Sequence, residues 1–147
     1  VGRRQASSGH DCWGGRHKNR GLQPSRLGSR PSFQKSIGEC DLRLRAARTL
    51  VIQLLEEAWD QANQGVIPGP QLQGEMRSSA TFATSVALDV VTTAFRYGGG
   101  SALYTTSVLQ RCLRDLNAAA QHLMVSDSTY ENHGQFMLDI PDADPMK

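Results

Sequence analysis

From residue 37 to residue 58, apolar residues recur at spacings that alternate between three and four: Ile37, Cys40, Leu44, Ala47, Val51, Leu54 and Ala58. An α-helix turns once every 3.6 residues, so this spacing lays one continuous stripe along one side of a helix. A strand, with its period of two, could not bury it. A stripe about six turns long has to be covered by other elements, and a helical partner covers it most directly. Glu39, Arg43, Glu56, Glu57 and Asp60 lie off the stripe. The pattern predicts a first helix that starts at Pro31-Ser32, with Ser32 as its cap, and ends near Gln64-Gly65.

The rest of the chain reads in the same way. Gly65-Val-Ile-Pro-Gly-Pro70 is a helix-breaking loop. A second helix is expected from about Gln71 to Arg96, with Leu72, Met76, Ala83, Val86, Val90 and Ala94 as its core stripe. Its first half is small and polar (Ser78, Ser79, Thr81, Thr84, Ser85), which lets another helix approach closely. A third helix is expected from Thr106 or Ser107 to about Met124. Ser126-Asp127-Ser128 then offers caps for a shorter fourth helix over about 128–138. Nothing reads as a strand. The expected fold is all-α, an up-and-down four-helix bundle over residues 32–140 followed by an acidic tail over 141–147.

Charge separates the first residues from this bundle. Residues 1–31 hold seven Lys and Arg against Asp11 alone, a net of +6, so in a chain of net +2 the remainder carries −4. That first stretch is rich in Gly, Ser and Arg, has no hydrophobic period, and is expected to be a disordered basic tail. It lacks the apolar centre of a signal peptide, and its glycines make a poor amphipathic transit helix. Its basic charge alone does not make a nucleic-acid partner the expectation. No apolar run approaches the ~20 residues that span a bilayer, so no membrane partner is expected either. The three cysteines, Cys12, Cys40 and Cys112, are far apart, odd in number and in no CxxC pair. They suggest neither a disulfide framework nor a zinc site, and they fit a cytoplasmic location.

The chemistry is concentrated between Tyr97 and His122. Three glycines, Gly98, Gly99 and Gly100, lead into a patterned helix. Leu109, Cys112, Leu113, Leu116, Ala119, Ala120 and Leu123 fall on one side of it. Arg111, Arg114, Asp115, Ala118 and His122 fall on the other. The glycines can form a helix C-cap and turn, or a surface where backbone amides approach a phosphate or a flavin edge. No strand precedes them and the spacing is not GxGxxG, which excludes a Rossmann site. Arg111 and Asp115 have the i,i+4 spacing of a surface ion pair. His122 alone reads as a satisfied helix histidine or as a catalytic one. No Ser-His-Asp order, metal-ligand cluster or P-loop is present.

Gly98-Gly-Gly-Ser-Ala-Leu103, Leu109-Gln-Arg111, Arg114-Asp-Leu116 and His122, with Leu42-Arg-Leu-Arg-Ala-Ala-Arg48 upstream, resemble the C-terminal helical domain of the acyl-CoA dehydrogenase superfamily. Within it they are most like the two-component flavin-dependent monooxygenases, the branch of p-hydroxyphenylacetate hydroxylase and dibenzothiophene monooxygenase. The resemblance implies an intact enzyme that uses reduced flavin (FMN or FAD) and oxygen to hydroxylate an aromatic or related ring. It places His122 near the reacting atoms as catalytic residue, with Gly98, Gly99, Gly100, Arg111 and Arg114 binding the cofactor. It also implies self-association as a dimer or tetramer, and a flavin reductase as a further partner. His133 is read as structural or subunit-contacting. The superfamily's N-terminal helical and middle β-barrel domains have no counterpart in this sequence, so this chain alone is expected to be inactive. Two alternatives stand beside this reading: an acyl-CoA dehydrogenase using FAD, which would need a glutamate base, and a non-catalytic helical oligomerisation module.

Overall fold

A computed structural model describes residues 26–146. Residues 1–25 of the expected tail lie outside the described residues. The described part is helical, with α1 at Pro31–Asn63, α2 at Pro70–Gly98, α3 at Val108–Ala119 and α4 at Ser128–Met137. Short 3-10 turns occupy Leu27–Ser29 and Gly99–Leu103. No strand occurs among the described residues, and the expected all-α, four-helix fold is what the chain adopts.

The two long helices form an antiparallel hairpin. Pro31 is the first residue of α1 and Arg30 its cap, in place of Ser32. Proline suits this position because its missing N–H would have no partner there and its φ is already helical. At the other end Gly65 adopts φ +74°. Its N–H donates to the Ala62 carbonyl at 2.9 Å, and the N–H of Val66 reaches back to Gln61 at 2.9 Å. This paired closure satisfies two carbonyls left open at the helix end. The hairpin is pinned at its open end, where Phe33 and Tyr97 meet edge-on with ring centroids 4.8 Å apart. Tyr97 Oη also lies 3.1 Å from Ser36 Oγ. Midway, Arg43 of α1 pairs with Asp89 of α2 at 2.6 Å.

Every other helix packs on α2. At 29 residues α2 is roughly 43 Å long, whereas α3 and α4, with 12 and 10 residues, reach about 18 and 15 Å. The two short helices share its length. α3 starts against the end of α2, where Leu109 meets Gly98. α4 covers the beginning, with Thr129 bonded to Thr81 at 2.9 Å and Phe136 against Gly74. Both run back along α2.

Part of the small polar run in α2 is buried at this junction, while Ser85 at its end is exposed. Ser78, Ser79 and Thr81 are inaccessible, and the hydroxyls of Ser78 and Ser79 donate to the carbonyls of Glu75 and Met76. Each hydroxyl is thereby satisfied inside the helix, so its burial carries no open polar group.

Three boundaries differ from the sequence reading. Leu27 is 2% exposed, so ordered packing begins inside the stretch read as tail. Residues 141–146 are not loose: the Arg77 guanidinium donates to the Pro145 carbonyl, which seats them against the start of α2. α3 ends at Ala119, not near Met124. Ala118-Ala119-Ala120 favours helix strongly, but the chain must leave α3 here to carry Thr129 to Thr81.

Gly98 and Gly99 both have steric reasons to be glycine. A Cβ on Gly98 would stand 2.8 Å from the Ala102 Cβ and 3.0 Å from Leu109 Cδ1. Gly99 has φ +61°, a region that side chains disfavour. Gly100 has nothing within 4 Å of a would-be Cβ. Gly98→Ala is therefore expected to cost about 1–3 kcal/mol through overpacking, and Gly100→Ala less than about 0.5 kcal/mol. Urea unfolding of the two variants against the parent chain checks the difference.

Candidate functional site

The turn that begins at Gly99 packs against α3, and Leu109 in the first turn of α3 stands at Gly98. Ser107 caps α3 through its backbone alone, so the first N–H groups of the helix keep a partial positive charge near the turn. Arg111 sits one turn into α3, exposed, and takes part in none of the ion pairs among the described residues. The i,i+4 pair of Arg111 with Asp115 does not form. Asp115 pairs with its neighbour Arg114 at 3.3 Å. Among the described residues Arg111 thus has no ion-pair partner, whereas Arg114 has a carboxylate one. These features suit an anionic or phosphate-bearing ligand.

The expected two-sidedness of α3 is present but shallow. Leu109, Cys112, Leu113, Leu116 and Ala120 are half-buried, and Arg111, Arg114, Asp115 and Ala118 are exposed. No residue of α3 is fully buried. Leu123, expected on the packed side, is 86% exposed.

His122 lies in the turn that follows α3, not on the helix face it was expected to share with Arg111. About 12 Å of helix axis separates Arg111 from Ala119. The structure therefore does not bring Arg111 and His122 together at one point. His122 is exposed, and its Nδ1 accepts a hydrogen bond from the Met124 N–H at 3.2 Å. Met124 was not singled out in the sequence. A turn bond of this kind depends on where the helix stops, and the alanine run hid that point.

Two depressions flank α2. A cleft of about 560 Å³ is lined by Leu50, Leu54, Phe82, Tyr130, His133 and Met137, and none of the expected cofactor-binding residues reaches it. A smaller pocket of about 290 Å³ between α1 and α2 includes Met124, so it borders the His122 turn. Burial pushes the Cys40 thiol above its ordinary range, against an opposing hydrogen bond with Thr93. Cys40 is a core residue, not a nucleophile. Among the described residues no three His, Cys, Asp or Glu side chains come together in a metal-binding group.

Residues 6–127 match the family described as acyl-CoA dehydrogenase, C-terminal domain. The chain is 32% identical over 108 residues to the indole-3-acetate monooxygenase of Pseudomonas putida, covering 74% of this chain and 28% of that protein. It is 26% identical over 110 residues to the indole-3-acetate monooxygenase of Acinetobacter baumannii, covering 75% of this chain and 28% of the relative. Among solved structures it is similar to XiaF from a Streptomyces species, in complex with FADH2 and glycerol. The TM-score is 0.76 and the identity 25%, over 87% of this chain and 33% of that one. The chain thus spans under a third of the length of these curated relatives. The match reaches back to residue 6, into the stretch that composition reads as tail. With the family model covering most of its residues and the fold in agreement, the chain belongs to the acyl-CoA dehydrogenase C-terminal domain family.

Proposed function

We propose that this chain is the C-terminal helical part of a reduced-flavin-dependent monooxygenase that hydroxylates an aromatic or related ring. The observation that carries this reading is Arg111, exposed and in no ion pair among the described residues, on the helix that follows the glycine run, in a fold shared with a protein solved with FADH2. The similarity to indole-3-acetate monooxygenase supports the same reaction class. Reduced flavin, as FMN or FAD, would supply the oxygen-activating chemistry when bound. This chain's share is to hold it. Arg111 offers a charge-assisted contact, the turn at Gly98, Gly99 and Gly100 lets the ligand approach the backbone, and Arg114 adds positive potential. His122 stands at the far end of α3 from Arg111, where it can meet the reacting ring. A hydride-transferring acyl-CoA dehydrogenase would need a carboxylate base, and Glu131 is exposed in the first turn of α4, so this arrangement favours it less.

Self-association as a dimer or tetramer belongs to the same reading, and its support is surface that one chain leaves uncovered. Leu123, Ile67 and Trp59 are 86%, 83% and 68% exposed, large apolar side chains that a second copy could cover. A flavin reductase as the source of reduced flavin, and a cytoplasmic setting, complete the proposal. The free Cys40 and Cys112 are in keeping with that setting. No described helix is long and apolar enough to cross a membrane.

In the full-length enzyme, His122→Ala should lower hydroxylation with folding intact, because an exposed side chain supports no core. Arg111→Ala should instead weaken reduced-flavin binding by about 1.5–3 kcal/mol, the worth of a hydrogen bond to a charged group. Steady-state rates, flavin titration and circular dichroism separate the two effects. A His122→Ala protein that unfolds would make His122 a purely structural residue.

Light scattering of the 147-residue chain at micromolar concentration should give the mass of a dimer or a tetramer. A monomer across that range would remove self-association from the proposal.

A further inference from the structure

We infer that the loop after α3 holds His122 as the tautomer protonated on Nε2, so that it offers a ligand a hydrogen-bond donor and not a base. The inference rests on the proposal that His122 faces a ligand, and it settles in which chemical form it does so. A backbone N–H can only donate. The Met124 N–H lies 3.2 Å from His122 Nδ1, so Nδ1 must carry the lone pair and the proton of the neutral ring resides on Nε2. The geometry resembles the turn in which an Asn or Asp side chain accepts from the amide two residues ahead.

The loop itself is held by backbone bonds. The N–H of His122 donates to Ala119 at 3.0 Å, and the N–H of Val125 donates to the His122 carbonyl at 2.8 Å. At its far end Thr129 Oγ1 bonds Thr81 Oγ1 at 2.9 Å and the Ser126 carbonyl at 2.8 Å. The imidazole is thus braced on one side by a turn that is fixed at both ends. Among the described residues Nε2 has no partner, and the side chain is exposed. The atom that faces outward is an N–H. Its complement is an acceptor on the ligand: a carbonyl oxygen, a phenolate or an anionic ring nitrogen. Removing a proton from a neutral hydroxyl at this nitrogen would first require the Met124 bond to break and the ring to change tautomer, so base catalysis from Nε2 is disfavoured.

The test uses the 147-residue chain without flavin. Long-range 15N–1H correlation spectra, recorded above the pH at which the imidazole titrates, report the protonation of each ring nitrogen. His122 Nδ1 should resonate as a bare ring nitrogen and Nε2 as an N–H. A protonated Nδ1, or an even mixture of the tautomers, would overturn the inference. Hydrogen exchange at the Met124 amide gives a second readout. H122A and H122Q should speed it roughly tenfold through loss of one protecting bond. H122N, whose side-chain oxygen can stand where Nδ1 stands, should leave it nearly unchanged. Unaltered exchange in H122A would overturn the inference just as directly. Neither readout involves flavin or turnover, so failure here is distinct from failure of the monooxygenase proposal.

Discussion

α3 and α4 come close to α2 because α2 carries small residues where they meet it. Gly74 lets the Phe136 ring approach to where a Cβ would be 3.1 Å away. Thr81 is small enough to be met by Thr129 and polar enough to bond it. Gly98 admits Ala102 and Leu109. Close packing makes these contacts mutually dependent, since interiors tolerate little added volume. A bulky residue at Gly74 would push α4 away, and with it the Thr129 hydroxyl that ends the His122 loop. The position of the candidate catalytic histidine is therefore set in part by buried packing between α2 and α4.

The long elements were legible in the sequence because they depend on periodicity. Most of the alternating stripe of α1, the breaker from Gly65 to Gly69 and the small-residue half of α2 stand where the pattern put them, but Leu44 of the stripe is 42% exposed and Pro70 is already the first residue of α2. The features that were not legible depend on long-range contacts. Leu27 reads as one apolar residue in a polar run, and only the fold shows that it is buried. The acidic residues near the C-terminus read as a loose tail, because nothing local indicates that Arg77 holds Pro145. The end of α3 was misplaced because local propensity favours continuing the helix, while the buried Thr81–Thr129 bond requires the chain to turn back.

The candidate site was legible in a similar proportion. The sequence singled out the glycine run, Arg111, Arg114 and His122, and a helical wheel put the charged residues on one side. The structure adds a division of labour among them. Gly98 and Gly99 are required by packing and backbone conformation, which leaves Gly100 and Arg111 as the members of the group with no structural duty. Arg114 is partly neutralised by Asp115. His122 has left the helix and is oriented by its own loop. The i,i+4 reading of Arg111 with Asp115 failed because Asp115 has a nearer partner.

These groups make a surface and not an enclosure. One or two charge-assisted contacts of about 1.5–3 kcal/mol each fall short of the ~8 kcal/mol that micromolar affinity requires. They also provide no walls to keep water from a reacting ring. The most direct measurement is an anaerobic titration of the isolated chain with reduced flavin, repeated at high salt and followed by an assay for hydroxylated product after air is admitted. Binding in the millimolar range that disappears with salt, and no product, is expected of a chain that supplies one side of a flavin site. Micromolar binding with turnover would show a complete site in these 147 residues. Absence of any binding at millimolar flavin would show that the surface at Gly100 and Arg111 is not part of one.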